Sequence, residues 1–375
     1  MKILISLFAV LLIAQGYKTE VFLLDLTSTV LLYPGWGEKK LKSDSTSADY
    51  AEGLYKKYCA VCHGKDREGY DADNAPSLRS QTLMATTQIP KSSHNFLVHT
   101  ISYGRSGTAM APYAKSQGGP LDETDIEILI QWLREKSGVN KPIAMSVDPV
   151  TGDARLGKVL YIRHCTTCHG AKGEGISAPA LANPLFLATA SDAFIRHTIA
   201  EGRDGTPMPS FKDSISNIEI DALTSFLRSR ASGWNAPEPV RIKEPRPENY
   251  ILNPKNKGPK FNLREGIYVS AEELNKALKG SARLIILDAR SKAAWHQTHI
   301  PGSIPIPYYQ DPDTFIKLIP NDSTWIVAYC ACPHAVSTSV VNSLRRFGYK
   351  NTAVLDEGIL IWAQRGYPVQ YGQGQ

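Results

Sequence analysis

The chain is poor in cysteine. Six occur in 375 residues, and four of them fall in two short motifs, leaving only Cys330 and Cys332. Two thiols one residue apart are not a disulfide framework, so the fold is not held by staples. Methionine is scarcer, at five. No large excess of one charge exists: the net is +6. No basic patch interleaved with aromatics occurs, which excludes a nucleic-acid interface and leaves a mild electrostatic preference for acidic protein partners. A continuous membrane span is also lacking early in the chain, because Asp25 separates the apolar stretches at 21–24 and 30–33. Residues 1–16, MKILISLFAVLLIAQG, have Lys2 before an apolar run and a small-x-small end at Ala14-Gln15-Gly16. That is the form of a secretory signal. A retained membrane anchor at the N-terminus is the alternative reading. An N-terminal segment over 17–47 follows.

The four motif cysteines stand in CAVCH (Cys59, Cys62, His63) and CTTCH (Cys165, Cys168, His169). C-x-x-C-H is the attachment sequence for c-type haem. At that spacing both thiols reach the vinyl groups on one porphyrin edge, and the adjacent His lies under the iron. Covalent haem of this kind is attached outside the cytoplasm, which agrees with an exported, periplasmic location.

Each motif is followed by the same string of features. APSL at 75–78, FLVHTI at 96–101 and YGRSGTAMAPY at 103–113 follow the first. APAL at 178–181, FIRHTI at 194–199 and EGRDGTPMPSF at 201–211 follow the second. One module has been duplicated. A helix leads into each motif: Ala51, Leu54, Tyr55 and Tyr58 share one face, and Leu156, Val159 and Leu160 are expected to share the other. Each module closes with a helix, lined by Ile126, Leu129, Ile130 and Leu133 beside Trp132, and by Ile220, Leu223 and Leu227 beside Phe226. This order resembles the class I c-type cytochrome fold over residues 48–138 and 153–230. In that family a Gly lets the first helix cross the last closely. Gly157 occupies that place, and Ala51 replaces it in the first copy.

Met110 and Met208 stand at matching positions and are the expected sixth ligands, paired with His63 and His169. A thioether suits low-spin iron and raises its potential, favouring electron transfer. His99 and His197 also match between the copies, so bis-His iron stays open as an alternative. Arg105 and Arg203 recur too, either as partners for haem propionates or as solvated loop charges. The cofactors implied are two covalently bound haem c.

Residues 231–263 are interrupted by Pro237, Pro239, Pro245, Pro247, Pro254 and Pro259 among basic residues, as in an extended spacer. The pattern then changes. RLIILD at 283–288 and WIVAYC at 325–330 read as buried parallel strands, and helical stretches over 271–279 and 336–347 alternate with them. LDARS at 287–291, HIPGSIPIP at 299–307 and GYKNTAVLDEGILIW at 348–362 resemble rhodanese domains, over a domain placed at 264–375. The fold class is therefore multidomain: two all-α cytochrome c domains, then an α/β rhodanese-like domain with a central parallel sheet.

The resemblance implies a persulfide-forming cysteine at a strand tip, cradled by N–H groups at a helix N-terminus that lower its pKa. Cys330 takes that position. The loop departs from the family's C-x-x-G-x-R-S: Pro333 replaces Gly and removes a donor, and no Arg follows. His334 is the available positive charge. Cys332 is a resolving thiol, a soft-metal ligand beside Cys330 and His334, or inert. Two functions follow. Either a sulfur compound (thiosulfate, sulfide or polysulfide) reacts at Cys330 and its electrons pass to the haems and on to redox partner proteins, with sulfurtransferase or sulfur-oxidising activity. Or the haems are a plain shuttle and the rhodanese-like domain a docking or sensing module.

Overall fold

In the computed structural model, residues 45–70, 75–86, 96–139, 143, 145, 146, 148–235, 243–331 and 334–371 are described. The expected signal, anchor and segment over 17–47 therefore lie almost entirely outside them, as do Cys332 and Pro333. Among the described residues no helix is long and apolar enough to cross a membrane.

The repeat in sequence is a repeat of five helices. In the first copy these are α1 (Ser45–Tyr58), α2 (Ala60–His63), α3 (Gln81–Thr86), α4 (Phe96–Tyr103) and α5 (Glu123–Lys136). The second runs α6 (Ala154–His164), α7 (Thr166–His169), α8 (Pro184–Thr189), α9 (Asp192–Glu201) and α10 (Asn217–Arg228). Capping boxes start both closing helices, Asp122 with Asp125 and Ser216 with Glu219. The predicted inner faces of α5 and α10 are buried throughout, Trp132 and Phe226 included.

The face expected for α6 is corrected. Leu156 and Val159 are 36% and 56% exposed, while Gly157, Leu160 and Tyr161 are buried. The crossing decides this. A Cβ at Gly157 would stand 2.0 Å from the Ala222 carbonyl oxygen, so α6 presents its glycine to α10 and turns Val159 outward. Ala51 holds the matching place in α1, fully buried at 0% exposure.

The two copies meet through matched contacts. Asn183 Nδ2 donates to the Ser106 carbonyl at 2.9 Å. Its repeat counterpart Ser80 donates to Asp204, the counterpart of Ser106, at 2.8 Å. Phe96 packs on Phe186 and Phe194 between them.

The C-terminal domain comprises β1 (Tyr268–Val269), α11 (Ala271–Lys279), β2 (Leu284–Asp288), α12 (Lys292–Gln297), β3 (Thr298–His299), β4 (Ile304–Pro305), α13 (Pro312–Phe315), β5 (Trp325–Tyr329), α14 (Ala335–Arg346), β6 (Thr352–Leu355), α15 (Gly358–Gln364) and β7 (Gln370–Tyr371). Five strands form a parallel sheet in the order β1-β6-β5-β2-β4. Side chains alternate across it: Ile285, Leu287, Ile326 and Ala328 face one core, Leu284, Ile286, Val327 and Tyr329 the other.

The stretch read as a spacer is shorter than its proline content suggests. Tyr250 is buried in the sheet's core, and Leu252 pairs with Leu284 as an isolated antiparallel bridge. Phe261 packs edge-on against Trp325 at 5.2 Å. Its C-terminal half is part of the α/β domain.

Candidate functional site

Each C-x-x-C-H is built the same way. The entering helix ends at the first cysteine, and a four-residue turn of helix (α2 or α7) carries the second cysteine and the histidine. Tyr55 donates to the Gly64 carbonyl at 2.6 Å, and Tyr161 to that of Gly170 at 2.8 Å, pinning the turn to the preceding helix. His63 Nδ1 lies 2.8 Å from the Pro76 carbonyl oxygen, and His169 Nδ1 2.8 Å from that of Pro179. A carbonyl only accepts, so Nδ1 carries the proton and Nε2 keeps its lone pair, the tautomer a metal ligand requires. Burial pushes both imidazoles below their usual pKa, which favours the neutral ligating form. None of the four motif cysteines is tied up in a disulfide.

The methionine loops are equally matched. Arg105 N donates to the Met110 carbonyl at 2.7 Å and Arg203 N to that of Met208 at 3.0 Å. Thr108 and Thr206 close the turns, each donating to the arginine carbonyl and accepting from the methionine N–H. Gly104 and Gly202 permit this closure at φ 66° and 72°.

Arg105 and Arg203 are half-buried, and desolvation lowers each guanidinium to about 10. Arg105 donates from Nη2 to the Ala180 carbonyl, and Arg203 from Nη2 to Thr198. Arg105 Nε and Arg203 Nη1 are buried donors with no partner among the described residues. A buried cationic donor without an acceptor is costly. A carboxylate there removes the cost, and that is the fit a haem propionate offers. The other matched pair is placed differently. His99 stacks on Tyr103 and meets Trp234, within an aromatic cluster. His197 is half-buried beside Glu201, Arg203 and Lys212.

Cys330 follows β5 at the C-terminal edge of the sheet, 1% exposed, with its sulfur 3.3 Å from Ser337 Oγ. The cysteine stands at the strand tip, as the resemblance implies, and it is buried. His334 does not turn to the thiol: its Nε2 meets Asp356 Oδ1 at 2.7 Å, and its ring lies on Tyr268. Asp356 is also held by Arg264, whose hydrogen bonds keep the carboxyl below its ordinary range.

The first cytochrome module packs on the core of the α/β domain that includes Cys330. Val61 and Cys62 pack against the core cluster that contains Cys330, and Ala109, beside Met110, packs against that cluster and the one containing Ala331. Tyr308, just beyond β4, donates to the Tyr58 carbonyl at 2.6 Å, and Ser291 donates to that of Pro112 at 3.2 Å. Sequence reasoning missed these contacts. The clustering of Tyr58, Tyr113, Tyr308 and Tyr309 is their only trace in the chain, and it is dispersed over 250 positions.

The family described as "Cytochrome C oxidase, cbb3-type, subunit III" matches residues 46–133 and 152–227, and "Rhodanese-like domain" matches residues 270–365. The chain carries two cytochrome c domains and a rhodanese-like domain. As a cytochrome c chain it binds haem c covalently. A cbb3-type cytochrome c oxidase subunit FixP from Bradyrhizobium diazoefficiens is 27% identical over 47% of this chain and 58% of its own length. A subunit CcoP from Helicobacter pylori is 26% identical over 52% of this chain and 60% of its own. The chain thus spans less than two thirds of these curated relatives. The solution structure of a rhodanese-like domain from an Anabaena species is 26% identical, covering 28% of this chain and 78% of that one, with a TM-score of 0.26.

Proposed function

We propose that this chain is an exported di-haem electron-transfer protein whose rhodanese-like domain oxidises a small sulfur compound at Cys330. In this reading Cys59 with Cys62 and Cys165 with Cys168 each attach a haem, His63 with Met110 and His169 with Met208 are the axial pairs, and Arg105 and Arg203 receive propionates. The haem supplies one-electron acceptance once bound.

The observation that carries the coupling is the packing of Val61, Cys62 and Ala109 on the core cluster that includes Cys330. A haem-attaching cysteine and the residue beside Met110 meet the cluster that holds the proposed sulfur site. Burial of Cys330 favours hydrogen sulfide over larger reactants. Joining Cys330 to sulfide forms one S–S bond and releases two protons and two electrons, so two one-electron carriers match one event. Redox partner proteins then exchange electrons with the chain.

A second reading draws on the same packing. A thiol 1% exposed in a core on which another domain packs suits a fixed docking module without turnover. Pyridine haemochrome and intact mass of the matured protein give the haem count, expected to be two. Mass analysis after anaerobic sulfide treatment of the oxidised protein separates the two readings: one added sulfur on Cys330 supports oxidation, and an unmodified Cys330 supports docking.

A further inference from the structure

The duplication contains its own control for an interaction surface. Tyr58, Val61, Cys62, Ala109, Pro112 and Tyr113 are the positions by which the first cytochrome domain meets the rhodanese-like domain. All six are buried or half-buried. Their repeat counterparts are His164, Thr167, Cys168, Pro207, Ser210 and Phe211. The first five are exposed and Phe211 is half-buried under His164. One face therefore exists twice, closed by a protein domain in the first copy and open in the second.

The open copy has the composition of a docking site. Ile162, 58% exposed, adjoins it through the hydrogen bond from Thr166 to its carbonyl, and Val159, 56% exposed, lies one turn earlier on α6. Val159 is one of the residues that the Gly157 crossing turned outward. Arg155, Lys158 and Arg163 are exposed on the same helix, which contains no acidic residue. Exposed Ile162 and Val159 with three basic neighbours on α6, against the single carboxylate of Glu219 beside Arg163 and His164, fit a partner with an apolar centre and a predominantly acidic rim. A second copy of this chain fits poorly, because a twofold contact would set two basic rims against each other.

We propose that the face around Thr167 and Cys168 docks an external, acidic electron-transfer protein, and that exchange with outside carriers is confined to the second cytochrome domain because the rhodanese-like domain occupies the equivalent face of the first. This rests on the electron-transfer reading and not on the chemistry of Cys330.

Calorimetric titration of the haem-loaded full chain with an acidic blue-copper protein as probe tests it. Binding is expected at low ionic strength and should weaken as salt rises. Thr167→Glu and Ile162→Glu should each weaken it about tenfold, since like charge is set against the acidic rim. Lys279→Glu, a charge reversal on exposed α11, should leave it unchanged. Cys330→Ser should also leave it unchanged, which separates this proposal from sulfur oxidation at Cys330. The proposal is overturned by a wild-type chain that does not bind, by equal affinity of both face variants and wild type, or by sedimentation showing a dimer of the free chain that Thr167→Glu dissolves.

Discussion

Tyr308 of the rhodanese-like domain gives its hydroxyl proton to the carbonyl of Tyr58, the residue before the first haem-attaching cysteine, across 2.6 Å. The same hydroxyl lies 3.3 Å from that of Tyr113. Burial of the pair pushes both phenols well above their usual pKa, so they stay neutral. Tyr308→Phe leaves the Tyr58 carbonyl without its donor and should weaken the domain contact by about 1–3 kcal/mol. Alkylation of Cys330 by a small reagent, slow in the wild type, should then accelerate. An unchanged rate would mean that the cytochrome contact does not govern access to the thiol.

Met110 and Met208 hang from identical turns, so each substitution should report on one site. Met110→His and Met208→His should each lower the potential of a single haem and reduce the sulfur-to-iron charge-transfer absorption of the oxidised protein. If both variants keep the wild-type spectrum and potentials, His99 and His197 become the ligands to test.

Gly157 is fixed by the approach of α6 to α10. Gly157→Ala places a methyl carbon where the Ala222 carbonyl stands, and overpacking should cost about 1–3 kcal/mol. Denaturant unfolding measures it. Stability equal to the wild type would contradict the close crossing.

Asp204 links the two cytochrome domains through the N–H groups of Gln81 and Thr82 and the hydroxyl of Ser80. Partial burial pushes its carboxyl up, but these donors outweigh burial and hold it at about 2. A depressed folded pKa contributes stability that is present above the ordinary carboxylate range and is lost as pH falls through about 2. Amide exchange at Gln81 and Thr82 should therefore stay protected until strong acid. Asp204→Asn should lower that protection already at neutral pH. Protection that fades at the ordinary carboxylate pKa would remove the cause assigned here.

Much of this was legible in the sequence. The two C-x-x-C-H motifs, the methionine loops and the closing helices rest on local spacing, and the strands at β2 and β5 on short apolar runs, so the elements fall where the pattern puts them. The failures are of another kind. Leu156 and Val159 satisfy a helical period, yet a glycine crossing overrides periodicity and turns them out. Asp204 differs from Ser106 by one side chain, whose meaning depends on a helix start 122 positions away. The packing of Val61, Cys62 and Ala109 on the core that includes Cys330 is a long-range docking, which leaves no periodic trace. His334 reads as a replacement for the missing arginine, but Asp356 claims it.

The account's central claim is that Cys330 feeds electrons to the haems by way of the first cytochrome domain, which packs on its core. Anaerobic mixing of the fully oxidised protein with sulfide, followed by haem absorption, tests it in wild type and in Cys330→Ser. The wild type should be reduced at both haems, and Cys330→Ser, with unchanged oxidised spectra, should stay oxidised. Equal reduction of the two proteins would contradict the claim, because the electrons would then reach the haems without passing Cys330.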